Sequence, residues 1–241
     1  FRELQGIPPE AFVTGHVGRL APEKNLRFLA ECLKLFANRG ENRFFLIVGE
    51  GPMRDHLRGV FRKAGIANRL KLPGSLRGQD LVDAYHAMDA FAFASLTETQ
   101  GMVLIEAMAA GNPVVALDGP GVRDVVQDAE NGRLLGTQDI TSFAGSLSWV
   151  ESLQQDLRSE LGEKARARAQ SFSSQVCASR CLEVYRRARA GFEAKRPADR
   201  GDWTAFLDLL DNEWNIWKNR AAAAAGALSP QGTSPERGRE E

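Results

Sequence analysis

The chain of 241 residues lacks a net charge, since 31 Lys and Arg offset 31 Asp and Glu. That balance excludes the basic excess by which proteins bind nucleic acid or an anionic membrane surface in bulk, and leaves only a local patch open. Cysteine is scarce. Cys32, Cys177 and Cys181 show no CxxC spacing, so a reduced, intracellular protein with a cytoplasmic location is expected rather than a disulfide scaffold. Cys177 and Cys181 lie four apart on one helical pattern, a spacing that could hold a metal. No histidine stands near them, however, and they are read as core thiols. The sequence shows no signal-peptide pattern and no apolar run of membrane-spanning length. It opens on Phe1 rather than Met, and "RELQGIPPEAF" follows at once, so it is expected to begin partway through a longer protein. What is present is ordinary: 43% hydrophobic and 26% charged residues, enough for one or two globular domains with a real core.

Along the chain, short apolar runs alternate with amphipathic ones. "AFVTGHVG" (11–18) reads as a buried strand, and "NLRFLAECLKLFAN" (25–38) has the i, i+3, i+4 spacing of a helix. "RFFLIVG" is the next strand. A loop and helix follow in "GEGPMRDHLRGVFRKAG", with Pro52 expected at the first helical position and Gly65 at the stop. "RLKLPG", "DAFAFAS", "PVVAL" and the short "GRLL" read as further strands. "QDLVDAYHAM", "MVLIEAMAAG" and two or three segments between 139 and 190 read as helices. This alternation predicts a parallel sheet covered on both faces, the doubly wound, Rossmann-like α/β class. A ligand site is then expected at the carboxyl ends of the strands.

The last fifty residues have a different composition. Residues 1–192 are expected to form the α/β domain and 193–202, around "AKRPADRGD", a linker. Residues 203–227 are expected to form a helix with Trp203, Phe206, Leu210, Trp214 and Trp217 near one stripe, packed on this domain or on another. The polar end, 228–241, is expected to be disordered.

The chemistry concentrates in "TETQGMVLIEAMAAGNPVV" (97–115), an almost wholly apolar stretch with Glu106 in its middle and Glu98 just upstream. A buried carboxylate without a partner costs several kcal/mol, so something should meet each of them. Gly101 opens a helix. The free N–H groups of Met102, Val103 and Leu104 would point into the crevice at the sheet edge, where a phosphate can approach a residue that has no side chain. Glu106, a turn inside, could accept hydrogen bonds from hydroxyls of the ligand carrying that phosphate, and Glu98 from a second set. Two carboxylates reading hydroxyls on either side of a helix-bound diphosphate describe a nucleotide-sugar site. The alternative is a capping Glu98 and a snorkelling Glu106. In "GRLAPEKN" (18–25), Arg19 and Lys24 follow the first strand, with Lys24 at the mouth of the next helix. A cation there opposes the helix dipole unless it shares an anion with the helix terminus, as it would with a diphosphate. Taken alone, the two are a surface Arg and Lys beside Glu23.

In order along the chain, "GRLAPEKN", "VGEGP", "LPGSL", "FASLTETQGMVLIEAMAAGNPVVA" and "NGRLL" closely resemble the carboxyl-terminal domain of retaining, GT-B-fold glycosyltransferases of the group 1 type, over about residues 3–190. Glu98 and Glu106 match that family's E-x7-E motif. The resemblance implies one half of a GT-B fold, binding a UDP-, GDP- or ADP-sugar as donor substrate. It implies no required cofactor or metal, and no nucleic acid. Arg19 and Lys24 would hold the donor diphosphate, Glu98 would contact the sugar, and Gly101, Met102, Val103 and Leu104 would supply backbone contacts. Glu106 would hold the ribose and Leu76 would lie beside the base. Arg19, Lys24 and the helix terminus would stabilise the leaving diphosphate, and the anomeric configuration would be retained.

The departure from the family is a missing half. The acceptor domain would precede residue 1, and His16, His56 and His86 do not match the histidine often found near the reaction centre, so the chain alone is expected to be inactive. "TETQG" is closer to members acting on lipid acceptors than to the commoner "ESFG" forms. The acceptor could therefore be a lipid or a glycan, with the full-length protein peripheral to a membrane. Two rival readings are a GT-B-fold sugar-nucleotide epimerase and a non-catalytic nucleotide-binding or scaffolding module.

Overall fold

The computed structural model describes residues 1–194, with side chains to 191, and residues 208–215. Six strands form one parallel sheet: β1 (Phe12–Val17), β2 (Arg43–Val48), β3 (Leu70–Gly74), β4 (Ala90–Phe93), β5 (Val114–Leu117) and β6 (Gly132–Leu135). Their spatial order is β3-β2-β1-β4-β5-β6 and every pairing is parallel. Helices accompany them: α1 (Leu26–Ala37), α2 (Arg54–Lys63), α3 (Gly78–His86), α4 (Met102–Ala109), α5 (Ile140–Ser152), α6 (Gln155–Gln170) and α7 (Ser174–Ala194). The doubly wound α/β expectation holds.

Why these strands read as continuous apolar runs is visible in their burial. Every residue of β1, β2, β4 and β5 is buried, while the edge strands β3 and β6 are only partly so. Because side chains alternate across a strand, each face receives its own set. Phe12, Phe45, Ile47, Ala92 and Val115 meet α1, α2 and α5 through Leu29, Phe36, Phe61 and Phe143. Val13, Leu46, Phe91, Phe93 and Val114 meet α3, α4 and α6 through Tyr85, Leu104, Met108 and Ala165. On the first face Phe36, Phe45 and Phe61 stack edge to face, with centroids 6.3 and 5.2 Å apart. Each such buried ring contributes about 1.5–3 kcal/mol by burial.

Two expectations need correction here. Pro52 is not the first helical residue; α2 begins at Arg54 after a turn, with Met53 as its cap. Cys32 is buried in α1, but Cys177 and Cys181 are exposed on α7 and are not core thiols. The chain divides into a compact unit, Phe1–Cys181, and a second from Leu182 to Glu241. Within the second, residues 182–194 continue α7 and residues 208–215 are helical, with Leu209, Leu210 and Trp214 exposed. Most of the expected linker, aromatic helix and polar tail, including Trp203, Phe206 and Trp217, lies outside the described residues.

No helix of the described residues is long and apolar enough to cross a membrane.

Candidate functional site

The strand order reverses between β1 and β4, and an open parallel sheet offers its crevice at such a switch point. Two chain segments leave the sheet there. After β1 come Gly18, Arg19 and the 3-10 turn Pro22–Lys24, and after β4 comes the loop that ends at Gly101 and starts α4. Between them lies a cleft of about 270 Å³ lined by Val17, Gly18, Arg19, Lys24, Phe93, Glu98, Thr99, Gln100, Met102 and Val103.

Glycine makes this edge possible. A Cβ on Gly49 would stand 1.9 Å from the Gly18 carbonyl oxygen, and its φ of +135° is one that other residues rarely adopt. The "VGEGP" motif is therefore the place where the loops after β1 and β2 touch. Gly101 caps α4 with φ +63°, and a Cβ there would meet Leu104 at 3.0 Å and the Gly121 carbonyl at 3.2 Å.

The charged residues meet as follows. Lys24 Nζ donates to Glu98 Oε2 at 2.8 Å, with the two side chains 24% and 17% exposed. The Glu98 carboxylate also accepts from the backbone N–H of Thr99 at 3.3 Å and from that of Gly101. Burial by itself would raise the Glu98 pKa. The Lys24 ammonium and the two N–H groups outweigh it and hold the carboxyl below its usual range. Glu98 thus lies in the lining of the cleft, paired with Lys24 and bonded to N–H groups of the loop that leads into α4. Arg19, well exposed, is turned onto Glu23.

At the start of α4 the N–H groups of Met102 and Val103 meet no backbone carbonyl among the described residues, as an anion site requires. Leu104 is placed differently from these two. Its side chain is fully buried and its N–H is taken by the Gly101 carbonyl at 2.9 Å.

Glu106 is exposed rather than buried, so the partner demanded of it is not a core cation. It is met by Tyr85 of α3, whose hydroxyl donates to Oε2 at 2.7 Å. Burial, then the bond to Glu106 and its charge, raises the Tyr85 pKa far above its usual value, so the phenol stays a donor. Tyr85 is the functional candidate that sequence reading missed. The only signal for it was a lone aromatic hydroxyl on the buried face of "DLVDAYHAM", which reads equally well as core. Leu76 is partly buried against the second core cluster, and neither it nor Glu106 lines the cleft. The site residues thus fall into two groups: Arg19, Lys24, Glu98, Met102 and Val103 come together, with Gly101 as their hinge, while Glu106 stands one helical turn on.

Beneath the cleft His16 of β1 is fully buried. Its Nδ1–H donates to the Ala92 carbonyl at 3.0 Å, since a carbonyl can only accept. Burial chiefly, helped by the charge of Lys24 and opposed by the Ala92 bond, pushes its pKa down to about 4, so the ring is neutral. His16 Nε2 and the Thr14 hydroxyl on the same strand are buried without a hydrogen-bond partner among the described residues.

A larger groove of about 740 Å³ lies at the opposite, amino-terminal edge of the sheet. Several of its charges are already engaged: Arg2 with Asp89, Glu151 with Arg43 and Arg166 with Glu163. Among the described residues no group of three or more His, Cys, Asp or Glu side chains is placed to hold a metal ion.

With this geometry in hand, comparison with known proteins is informative. The family model described as glycosyl transferases group 1 matches residues 1–168. A D-inositol 3-phosphate glycosyltransferase of Saccharomonospora viridis is 32% identical over 200 residues, covering 79% of this chain and 46% of that protein. The 2-deoxystreptamine glucosyltransferase of Streptomyces kanamyceticus is 29% identical over 183 residues, covering 76% and 47%. Among solved structures, Anabaena HepE in complex with UDP and glucose matches with a TM-score of 0.68 at 26% identity, over 76% of this chain and 50% of that one. The chain spans about half the length of these curated relatives.

Proposed function

The chain belongs to the group 1 glycosyltransferase family, and from that premise we propose that residues 1–192 are the donor-binding half of an enzyme that moves a sugar from a nucleoside diphosphate to an acceptor with retention of configuration. The observation that carries this reading is the convergence of Arg19, Lys24, Glu98 and the open amino end of α4 in one cleft at the switch point. Its volume is below the range of about 300–1,000 Å³ usual for small-molecule pockets, as suits a site whose other wall belongs to a preceding acceptor domain.

The roles follow from the chemistry. A diphosphate seated between Lys24 and the N–H groups of Met102 and Val103 is held by charge and by the helix dipole together. Arg19, with a long exposed stem, can leave Glu23 and fork onto a second phosphate. As the glycosidic bond to the diphosphate breaks, negative charge grows on the oxygens these cations face, so they hold the transition state more tightly than the ground state. Glu98 receives sugar hydroxyls and Glu106 the ribose. Leu76 lies beside the base. The similarity to HepE favours a uridine nucleotide over guanosine or adenosine, and the acceptor is a lipid or glycan read elsewhere.

Calorimetric titration of the chain with UDP, GDP and ADP and their sugar conjugates tests this. One nucleotide should bind, and Glu106→Ala should weaken it by roughly tenfold, the loss expected when a charged hydrogen-bond partner is removed. Absence of binding by every nucleotide would sink the donor-site reading; robust sugar transfer by this chain alone would sink the half-site reading.

A further inference from the structure

This inference rests on the donor-site reading and deepens it. Glu98 occupies a side-chain cation inside the cleft that an incoming diphosphate needs, Lys24. It takes Lys24 at 2.8 Å and turns its other oxygen to the N–H of Thr99 at 3.3 Å, with the Gly101 N–H also bonded to it. An anion entering the cleft therefore does not meet a free lysine; it has to displace a carboxylate. The displaced carboxylate is left among Val17, Phe93, Met102 and Val103, the apolar part of the same lining. A carboxylate that loses its cation in such surroundings needs new hydrogen-bond donors.

Ligands differ in whether they bring such donors. Phosphate oxygens only accept, so pyrophosphate, or a nucleoside diphosphate lacking its sugar, takes Lys24 and offers Glu98 nothing in return. A hexose attached to the diphosphate carries hydroxyls that donate. We propose that Glu98 is an internal competitor for the diphosphate seat, and that it sets the preference of the cleft for a nucleotide sugar over the bare nucleotide. Its pairing with Lys24 is released at no net loss when sugar hydroxyls replace the ammonium. When they do not, the pair re-forms at the ligand's expense. Once the sugar has been transferred, the remaining nucleoside diphosphate faces that competition again, which favours its departure. Arg19 stands outside this contest because its partner is Glu23, on the exposed rim.

The test compares the affinities of pyrophosphate, UDP and UDP-glucose for the wild-type chain and for Glu98→Gln. Gln keeps an acceptor for the two N–H groups but gives up the charge that holds Lys24. Pyrophosphate and UDP should bind the variant more tightly, by roughly threefold to tenfold, as befits a partly exposed ion pair removed from competition. UDP-glucose should bind it more weakly, so the two affinities converge. In a Lys24→Met background the contested cation is gone, and Glu98→Gln should then leave pyrophosphate and UDP binding unaltered. Equal or weaker pyrophosphate binding by Glu98→Gln, with UDP-glucose still bound by wild type, would overturn the proposal and leave the donor site standing. So would a gain that persists without Lys24. Failure of all three ligands to bind wild type would overturn the donor reading, and this inference with it.

Discussion

Both ends of the sheet are lined with charge, and they use it in opposite ways. At the amino end Arg43, 11% exposed at its side chain, donates from Nε to both Glu151 oxygens at 2.9 and 3.0 Å and from Nη2 to Oε2, donates to the Phe36 carbonyl at 2.6 Å and lies 4.2 Å over the Phe36 ring. Asp89 ties the start of the chain to the sheet, accepting from Arg2 at 2.8 Å and from the Val13 N–H at 2.7 Å. The most enclosed charges there are matched from within the fold, while Glu10 is exposed and Arg158 partly so. At the carboxyl end Lys24 makes one contact with Glu98, Arg19 sits on the rim, and the first N–H groups of α4 have no backbone partner. Saturated charge fixes a structure, whereas unsaturated charge at a concave edge is available to a ligand. This difference, and not size, is why the smaller cleft is the better candidate than the larger groove.

The largest expected effect concerns what the carboxyl end is built on. His16 lies beneath the cleft, neutral, with a pKa near 4 against an ordinary 6.5. Above pH 6.5 the folded and unfolded chains both carry it unprotonated and it adds no pH dependence. As the pH falls from 6.5 towards 4, the unfolded chain gains a proton that the folded chain refuses, so stability drops by about 3 kcal/mol in all. The part above pH 4.5 belongs to His16 alone among the two site groups, because the lowered pKa of Glu98 confines its own loss to more acid conditions. Urea unfolding across this range should show the decline, and His16→Gln should flatten it. An unchanged profile in the variant would remove the imidazole from the account.

A smaller effect, of opposite kind at the two ends, is expected from deleting one carboxylate from each. Glu151→Ala leaves Arg43 with a carbonyl and a ring but no counter-ion in a nearly closed setting. It should cost about 2 kcal/mol of stability, less than the full penalty of a wholly buried pair, and leave nucleotide affinity untouched. Glu98→Ala should do the reverse, costing under about 1 kcal/mol in unfolding while changing the relative affinities for nucleotide and nucleotide sugar. Equal stability losses at both ends would collapse the distinction between saturated and unsaturated charge.

How much of this was legible in the sequence depends on whether the signal was local. The strands were, because burial on both faces leaves runs such as "RFFLIVG" with no polar alternation, and helices such as α1 were, because one buried face imposes the 3.6 period. The meeting of "GRLAPEKN" with "TETQG" followed from topology, since both segments leave the same edge of a parallel sheet. Side-chain partners were not legible. Glu106 looked buried because its sequence neighbours are apolar, yet α4 has one face open and the carboxylate is on it. The contact of Lys24 with Glu98 spans 74 positions and depends on the turn each loop takes. Leu104 was expected to offer a free N–H, but a residue three positions past the cap already reaches back to the Gly101 carbonyl. Pro52 marked a turn instead of a helix start because the Gly51 loop must first pass against Leu20, whose carbonyl oxygen would lie 2.4 Å from any Cβ at Gly51.

The smallest effect should come from Tyr85→Phe, and it separates positioning from packing. The ring is buried among α3, α4 and β4 and Phe fills the same space, so the fold loses one hydrogen bond to a carboxylate that water can solvate; the expected cost is below about 1 kcal/mol. If Glu106 holds the ribose, however, the hydroxyl 2.7 Å away fixes which way its oxygens point, and freeing it should weaken the nucleotide by roughly threefold to tenfold. The two residues then act as one unit. In a Glu106→Ala background, Tyr85→Phe should have no further effect on affinity, as a double-mutant cycle requires of a group that works only through its partner. Additive losses in that cycle would detach Tyr85 from the site and return it to the core.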